Sequence, residues 1–372
     1  MVWKMKEGFT LQTPLTNDKV AEKPEELGHL SLLNLNEAYH PPREVVEESI
    51  VDVCNELHRY PDIKYNKLSR AVSDRTGVPV ENQAWGAGAS DLLYRAFNAV
   101  AKSNKKAVAP TPTFWGYERI YRLTGVDIER VELRSDCQTY AQDILNVVDD
   151  NTALVCLVTP ANPTGLSMKK EDLIQLASEL APEILLLIDE VYFEFAEDSI
   201  NAVELLKEFR NGHWAVLRSF SKAYALASAR IGYALCSSED VAHKLIESGL
   251  NFPVSKTSFS AAYAVYTAPN FLKNIVKTTC LSREWIVSQL KSLSLNPIAS
   301  DTNFVSVELP ISSKESLLYL KEAGVVCGQW NHARFANYIR ITVGTQEENQ
   351  KLVNSIRQLL LSVELETLQK EN

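Results

Sequence analysis

Five consecutive residues without a polar side chain, Ile184-Leu185-Leu186-Leu187-Ile188, run directly into Asp189-Glu190. A strand points successive side chains to opposite faces, so a strand that is apolar throughout needs cover on both. Ala153 to Val158 and Trp214 to Leu217 read the same way. Helical spacing at Lys170 to Leu180 and at Ala202 to Phe209 divides the three runs. Strands and helices in this alternation predict an α/β fold with a mostly parallel central sheet and helices on both faces. In such sheets ligands bind just past the carboxyl ends of the strands. Here those ends lead to Asn162, Asp189 and Lys222.

Ala107 to Ala109, Ile128 to Leu133 and Gly232 to Cys236 read as further strands, and Val46 to Leu57 and Tyr65 to Thr76 as helices. Leu32 to Glu37 has the look of a short strand ahead of Pro41-Pro42. After Gly249 the pattern changes. Residues 255–295 read as long helices broken near Pro269. Strands at Thr302 to Leu309, Val325 to Cys327 and Tyr338 to Val343 follow, with a helix at Lys314 to Ala323. Gln346 to Leu360 reads as a closing helix and 361–372 as a charged tail. The expected organisation is an N-terminal arm over 1–30, a large α/β domain over 48–247, and a smaller α+β domain built from 31–47 and 248–372.

A net charge of −9 argues against a broad nucleic-acid surface. The cysteines at 54, 137, 156, 236, 280 and 327 lack paired metal-ligand spacing. They predict buried thiols in a reducing, cytoplasmic setting and no metal site. The N-terminus has no apolar core of a signal peptide, and no apolar run reaches the length of a membrane span. Neither a P-loop nor a dinucleotide-binding glycine pattern is present.

The segment Ser219-Phe220-Ser221-Lys222, with Arg230 eight residues after the lysine, suits an amine kept for imine chemistry beside an anion site. Further motifs are Asn36-Glu37, Arg59-Tyr60-Pro61-Asp62, the Gly86 to Asp91 loop and Asn162-Pro163-Thr164-Gly165. Asp189-Glu190-Val191-Tyr192 and Arg340-Ile341-Thr342-Val343-Gly344 complete the set. With these the chain resembles, over about residues 30 to 360 by eye, the fold-type-I pyridoxal-phosphate enzymes. It is most similar to the class I/II aminotransferases of the histidinol-phosphate aminotransferase and threonine-phosphate decarboxylase branch.

That resemblance implies an aspartate-aminotransferase-like fold and pyridoxal 5′-phosphate as cofactor. It implies that Lys222 bonds the cofactor aldehyde and later acts as the base at the substrate's α-carbon, and that Asp189 pairs with the ring nitrogen. Asn162 and Tyr192 would hydrogen-bond the ring oxygen, and Phe114 would stack on the ring, with Trp115 as its rival. Backbone N–H groups of Gly88, Ala89 and Ser90, the hydroxyls of Ser219 and Ser221, and Arg230 would hold the phosphate. Tyr60 would reach the phosphate of a neighbouring subunit, which implies a homodimer with shared sites. Arg340 would grip the substrate carboxylate.

One departure bears on the substrate. In histidinol-phosphate aminotransferases a second arginine follows the Gly-Val-x-Val run. Here that run is Gly324-Val325-Val326-Cys327-Gly328-Gln329-Trp330, and Arg334 lies in a different register. This favours a non-phosphorylated amino acid. Tyr39, His40, Trp115, Trp330 and His332, with Glu7 and Glu37 as acidic contacts, suit a neutral or cationic, arginine-like side chain. Transamination with a 2-oxo acid is the first expectation. Elimination and cyclisation of a hydroxylated arginine, of the capreomycidine- or enduracididine-forming kind, is the alternative, ahead of phosphoamino-acid decarboxylation. A cofactor-free binding protein on this fold would be expected to lack Lys222 or Asp189, and both are present.

Overall fold

The structure, a computed structural model, describes residues 30–64, 66–196 and 200–371. The expected arm and Glu7 therefore lie outside the described residues, Leu30 excepted. In chain order the strands are β1 (Ser31–Leu33), β2 (Gln83–Gly86), β3 (Lys106–Thr111), β4 (Asp127–Glu132), β5 (Thr152–Val158) and β6 (Leu185–Asp189). They continue with β7 (Trp214–Ser219), β8 (Gly232–Cys236), β9 (Phe304–Glu308), β10 (Val325–Gln329) and β11 (Tyr338–Thr342).

Seven strands form one sheet in the order β2-β8-β7-β6-β5-β3-β4. The pairs from β7 to β4 are parallel, and β8 alone runs the other way, antiparallel to both β7 and β2. The wholly apolar strands explain themselves here. Leu186 and Ile188 of β6 enter the core on one face with Val155, Leu157 and Val216. Leu187 enters the core on the other face with Leu154, Cys156, Ala215 and Leu217. Each core is closed by helices, so both faces of these strands lose water and both contribute to stability.

The second sheet has four strands in the order β1-β10-β11-β9, with β1 parallel to β10 and the other pairs antiparallel. Its core joins Leu33, Val305, Val307, Val325, Ile339 and Ile341 to Ile286, Leu290, Leu352 and Ile356 of two long helices, Pro269–Ser292 and Gln346–Glu371.

Several elements differ from the expectations. The closing helix does not stop at Leu360 but runs to Glu371, because residues 361–371 hold no Gly or Pro and favour helix. The strand expected at Leu32 to Glu37 ends at Leu33, and Asn36 turns the chain with φ +53°. The short β2, which ends at Gly86, was not anticipated. Helix Glu239–Glu247, capped by the Ser238 hydroxyl on the Val241 N–H, was not anticipated. The helix Lys256–Tyr266, expected with the smaller unit, buries Phe259, Ala262 and Val265 in the same core as Leu68, Val72 and Trp85. The six cysteines are free thiols, with Cys54 exposed and the others buried. Among the described residues no helix is long and apolar enough to cross a membrane.

Candidate active site

Sheet order places the site. Strands β5, β6 and β7 are neighbours and parallel, so their carboxyl ends lie side by side. Asp189 ends β6, Asn162 follows β5 by four residues, and Lys222 follows β7 by three. The reversed strand β8 begins at the same edge, where Gly232 pairs with both Ser219 and Gly86. That pairing carries Arg230 and the Gly86–Ala89 turn to the group.

The Asp189 carboxylate is buried, at 4% exposure. One oxygen accepts from the Tyr117 hydroxyl at 3.0 Å, and the other, Oδ1, has no hydrogen-bond partner. Burial is the main cause that pushes its pKa up to about 6, against the Tyr117 hydrogen bond. Behind Tyr117 lies the buried Cys156 thiol, 3.6 Å from the phenol oxygen. The Lys222 amine donates to the carbonyls of Leu35 and Asn36 at 3.1 and 3.0 Å. Burial first, and then Arg340, pulls its pKa down to about 7, while Glu37 opposes the shift. A lysine so placed gives up its proton far more readily than a free one and can act as a nucleophile or base.

An anion cup lies at the start of helix Ala89–Lys102. Gly88, at φ +84°, passes so close under the Arg230 guanidinium that a Cβ there would lie 2.5 Å from Nη2. Arg230 also adopts positive φ, +48°, and donates to the Ala87 and Ala227 carbonyls and, at 3.4 Å, to Ser221 Oγ. Ser219 Oγ accepts the Ser221 N–H at 3.1 Å. Helix-end N–H groups, two hydroxyls and a guanidinium form a donor set for a phosphate. A Cβ on Gly232 would meet the Ala89 nitrogen at 2.8 Å, so glycine there lets the helix start close on the sheet.

The guanidinium of Arg340, on β11, is buried. Nη1 donates to Asn162 Oδ1 and Nη2 to the Asn34 carbonyl, each at 2.6 Å, while Nε has no partner. Burial draws its pKa below the ordinary value. The Tyr192 hydroxyl accepts from Asn36 Nδ2 at 2.8 Å and from Asn162 Nδ2 at 3.5 Å. Burial raises its pKa to about 12, so the phenol keeps its proton. One network thus joins Arg340, Asn162, Tyr192, Asn36 and Lys222. A carboxylate with a free oxygen, a low-pKa amine and an anion cup fit pyridoxal phosphate, which carries a basic ring nitrogen, an aldehyde and a phosphate.

The other expected residues have surroundings of their own. Phe114 caps helix Trp115–Thr124 and packs against Gly116 and the Tyr117 side of the core, while Trp115 beside it is exposed. Ser90 is exposed on the first helical turn. Tyr60, 78% exposed, stacks on Phe252 and makes no contact with the Lys222 network within this chain. Trp330 is a buried packing residue between Phe335 and Tyr338, its indole N–H bonded to Ser306 Oγ at 3.1 Å. His332 faces Glu132, and Arg334 donates to the Leu133 carbonyl. Tyr39 packs on the small-sheet core, and His40 stands beside it, near Thr278. Glu37 is exposed. Tyr117, and the pairing of Glu190 with Arg218, escaped the sequence reading. Arg218 donates to Glu190 Oε2 at 3.1 and 2.9 Å, tying the end of β6 to the end of β7.

Comparison with known proteins identifies the family and the fold. The chain matches the aminotransferase class I and II family over residues 30–356. It is 32% identical to a histidinol-phosphate aminotransferase of Archaeoglobus fulgidus over 341 residues, 90% of this chain and 95% of the relative. It is also 32% identical to one from Carboxydothermus hydrogenoformans over 331 residues, 88% and 92% of the two chains. The fold matches histidinol-phosphate aminotransferase from Sinorhizobium meliloti, solved with pyridoxal 5′-phosphate, at TM-score 0.81 and 24% identity, covering 96% and 99% of the chains. It matches aspartate aminotransferase from Thermotoga maritima at TM-score 0.80 and 20% identity, covering 89% and 92%. With its family match spanning nearly the whole described chain, this protein belongs to the class I and II aminotransferases and is a pyridoxal-phosphate-dependent enzyme of fold type I.

Proposed function

We propose that this enzyme transfers the amino group of a free, non-phosphorylated amino acid to a 2-oxo acid, with Lys222 as the amine that bonds the cofactor. The observation that carries this reading is Arg340. It is a buried cation that, among the described residues, has only neutral partners and keeps one N–H empty, in the same network as Lys222. An uncompensated buried guanidinium favours a carboxylate brought by a ligand.

Bound pyridoxal phosphate supplies an electron sink for charge released at the substrate's α-carbon. The chain's residues then have separate tasks. Asp189 holds positive charge at the ring nitrogen through its free oxygen, Tyr192 donates its phenol proton to the ring oxygen, and the cup around Gly88 and Arg230 holds the phosphate. Arg340 orients the substrate by its carboxylate, and Lys222, whose pKa burial draws down toward neutrality, takes the α-proton.

The absence of a phosphate on the substrate is supported by Gly328, which stands opposite Arg340 with no side chain, and by Arg334, which is turned to the Leu133 carbonyl. The exposed Tyr60, stacked on the exposed Phe252, supports a homodimer in which Tyr60 reaches the partner's phosphate cup.

The test uses purified holoenzyme given single amino acids, arginine and hydroxyarginines included. A substrate should bleach the visible band of the lysine-bound cofactor once, and a 2-oxo acid should restore it. Lys222→Ala should lose the borohydride-reducible bond to protein. Repeated turnover without any 2-oxo acid would overturn transamination in favour of elimination and cyclisation.

A further inference from the structure

Asn36 lies outside the large sheet, on the turn that follows β1, yet every polar group it has is engaged at the reaction centre. Its residue is 1% exposed and its backbone is held at φ +53°, a conformation asparagine tolerates better than most residues. Its carbonyl accepts from Lys222 Nζ and from Asn303 Nδ2, both at 3.0 Å. Its N–H donates to Thr342 Oγ1 at 3.0 Å, and its Oδ1 and Thr342 Oγ1 are 3.1 Å apart.

The Thr342 hydroxyl accepts the Asn36 N–H and donates its own hydrogen to Asn36 Oδ1. The amide is thereby oriented with Nδ2 toward Tyr192, where it donates at 2.8 Å. Because the phenol oxygen accepts from Asn36, and more weakly from Asn162, the phenol hydrogen is left for another acceptor. Thr342 stands two residues from Arg340 on β11, so the two side chains leave the same face of that strand. One strand therefore carries Arg340 and, through Thr342 and the Asn36 amide, also positions the Tyr192 phenol.

We propose that Asn36 is a positioning residue: its side-chain amide, locked by Thr342, aims and polarises the Tyr192 phenol beside Lys222. This rests on the reading of Lys222 as the cofactor-bearing amine. A phenol polarised in this way donates more strongly to the ring oxygen and stabilises its anion, which favours the deprotonated lysine–cofactor bond. Removing the amide reverses that preference.

The experiment is a spectrophotometric pH titration of the visible band in three holoenzyme variants. Asn36→Gly deletes the amide while allowing positive φ. Thr342→Val keeps the shape and removes the hydroxyl, and Thr342→Ser keeps the hydroxyl. The midpoint should rise by roughly half to one pH unit in Asn36→Gly, the size of one lost hydrogen bond. It should rise less in Thr342→Val and stay at the wild-type value in Thr342→Ser. If Asn36→Gly does not fold, the Thr342 pair gives the reading by itself. A lower melting temperature with an unmoved midpoint in Asn36→Gly and Thr342→Val would overturn the proposal and leave a structural role only. A wild-type holoenzyme without a visible band would overturn the Lys222 assignment as well.

Discussion

Asp189→Asn separates what the carboxylate costs the fold from what it gives the cofactor. In the cofactor-free protein Asp189 is buried, with its pKa at about 6 instead of the usual range near ~4. A shift of about two units corresponds to ~3 kcal/mol. The sign follows from linkage. Because the folded pKa is raised, the folded state is favoured below about pH 4, and that advantage is lost as pH rises through about 6. Asparagine cannot titrate, but its Oδ1 can still accept from the Tyr117 hydroxyl, now 3.0 Å from the carboxylate. Relative to wild type, the cofactor-free variant should therefore gain about 2–3 kcal/mol of unfolding free energy between pH 4 and pH 8. The absolute gain at pH 8 is smaller, because the new amide N–H needs a partner where Oδ1 now has none, at a cost of about 1–3 kcal/mol. Urea unfolding of both proteins at the two pH values measures the difference. The holoenzyme should respond in the opposite sense. Without negative charge at the ring nitrogen, the variant should bind pyridoxal phosphate more weakly and lose at least ~100-fold in kcat, as for an ion pair stripped of one partner. A stability difference that is flat between pH 4 and pH 8 would refute this account of Asp189.

Glu190→Gln should destabilise the protein by about 3–5 kcal/mol, since it strands the buried Arg218 cation. Denaturant unfolding of this variant and of a Glu190→Gln, Arg218→Met double variant checks it, and the double variant should recover part of the loss. Arg340→Lys should raise KM for the amino acid by roughly 10- to 100-fold, because an ammonium cannot keep the Asn162 and Asn34 contacts and also clasp a carboxylate in two-point geometry. The visible cofactor band should be unchanged in that variant, and an equal loss of cofactor affinity would contradict the assigned role.

The large sheet was legible because β5, β6 and β7 are apolar on both faces, a pattern that little else produces. Asn162, Asp189 and Lys222 were legible for the same reason: each follows such a run, and parallel neighbours bring those ends together. The contacts of Tyr117, Asn36 and Thr342 were not, although Asn36 and Thr342 stand in motifs the sequence displays. Their bonds to Asp189, Tyr192 and each other span 72, 156 and 306 residues, and no local periodicity encodes a contact at that range. Aromatic residues misled for a related reason. Trp330 in a sequence looks the same whether it lines a site or fills a core, and only its neighbours Phe335, Tyr338 and Ser306 show that it fills one.

The electrostatics of the strand ends divide into two kinds of buried ion. Glu190 and Arg218, next in sequence to Asp189 and Ser219, meet each other directly, although burial still raises the Glu190 pKa against the pull of Arg218. Asp189, Lys222 and Arg340 lie in the same region, yet no ion-pair contact joins any of them to a described residue; their hydrogen bonds go to a phenol, to carbonyls and to an amide. Each is displaced toward its neutral form, Asp189 upward and Lys222 and Arg340 downward, and in each case burial is the leading cause. A fold that only needed stability would have paired them as it paired Glu190 and Arg218, or filled their places with apolar groups. The function proposed above would account for the three: a cationic ring nitrogen would face Asp189, the neutral Lys222 amine would meet an aldehyde carbon, and a carboxylate would pair with Arg340. Groups whose burial costs stability would then be the ones that hold cofactor and substrate, and ligand binding would raise folding stability.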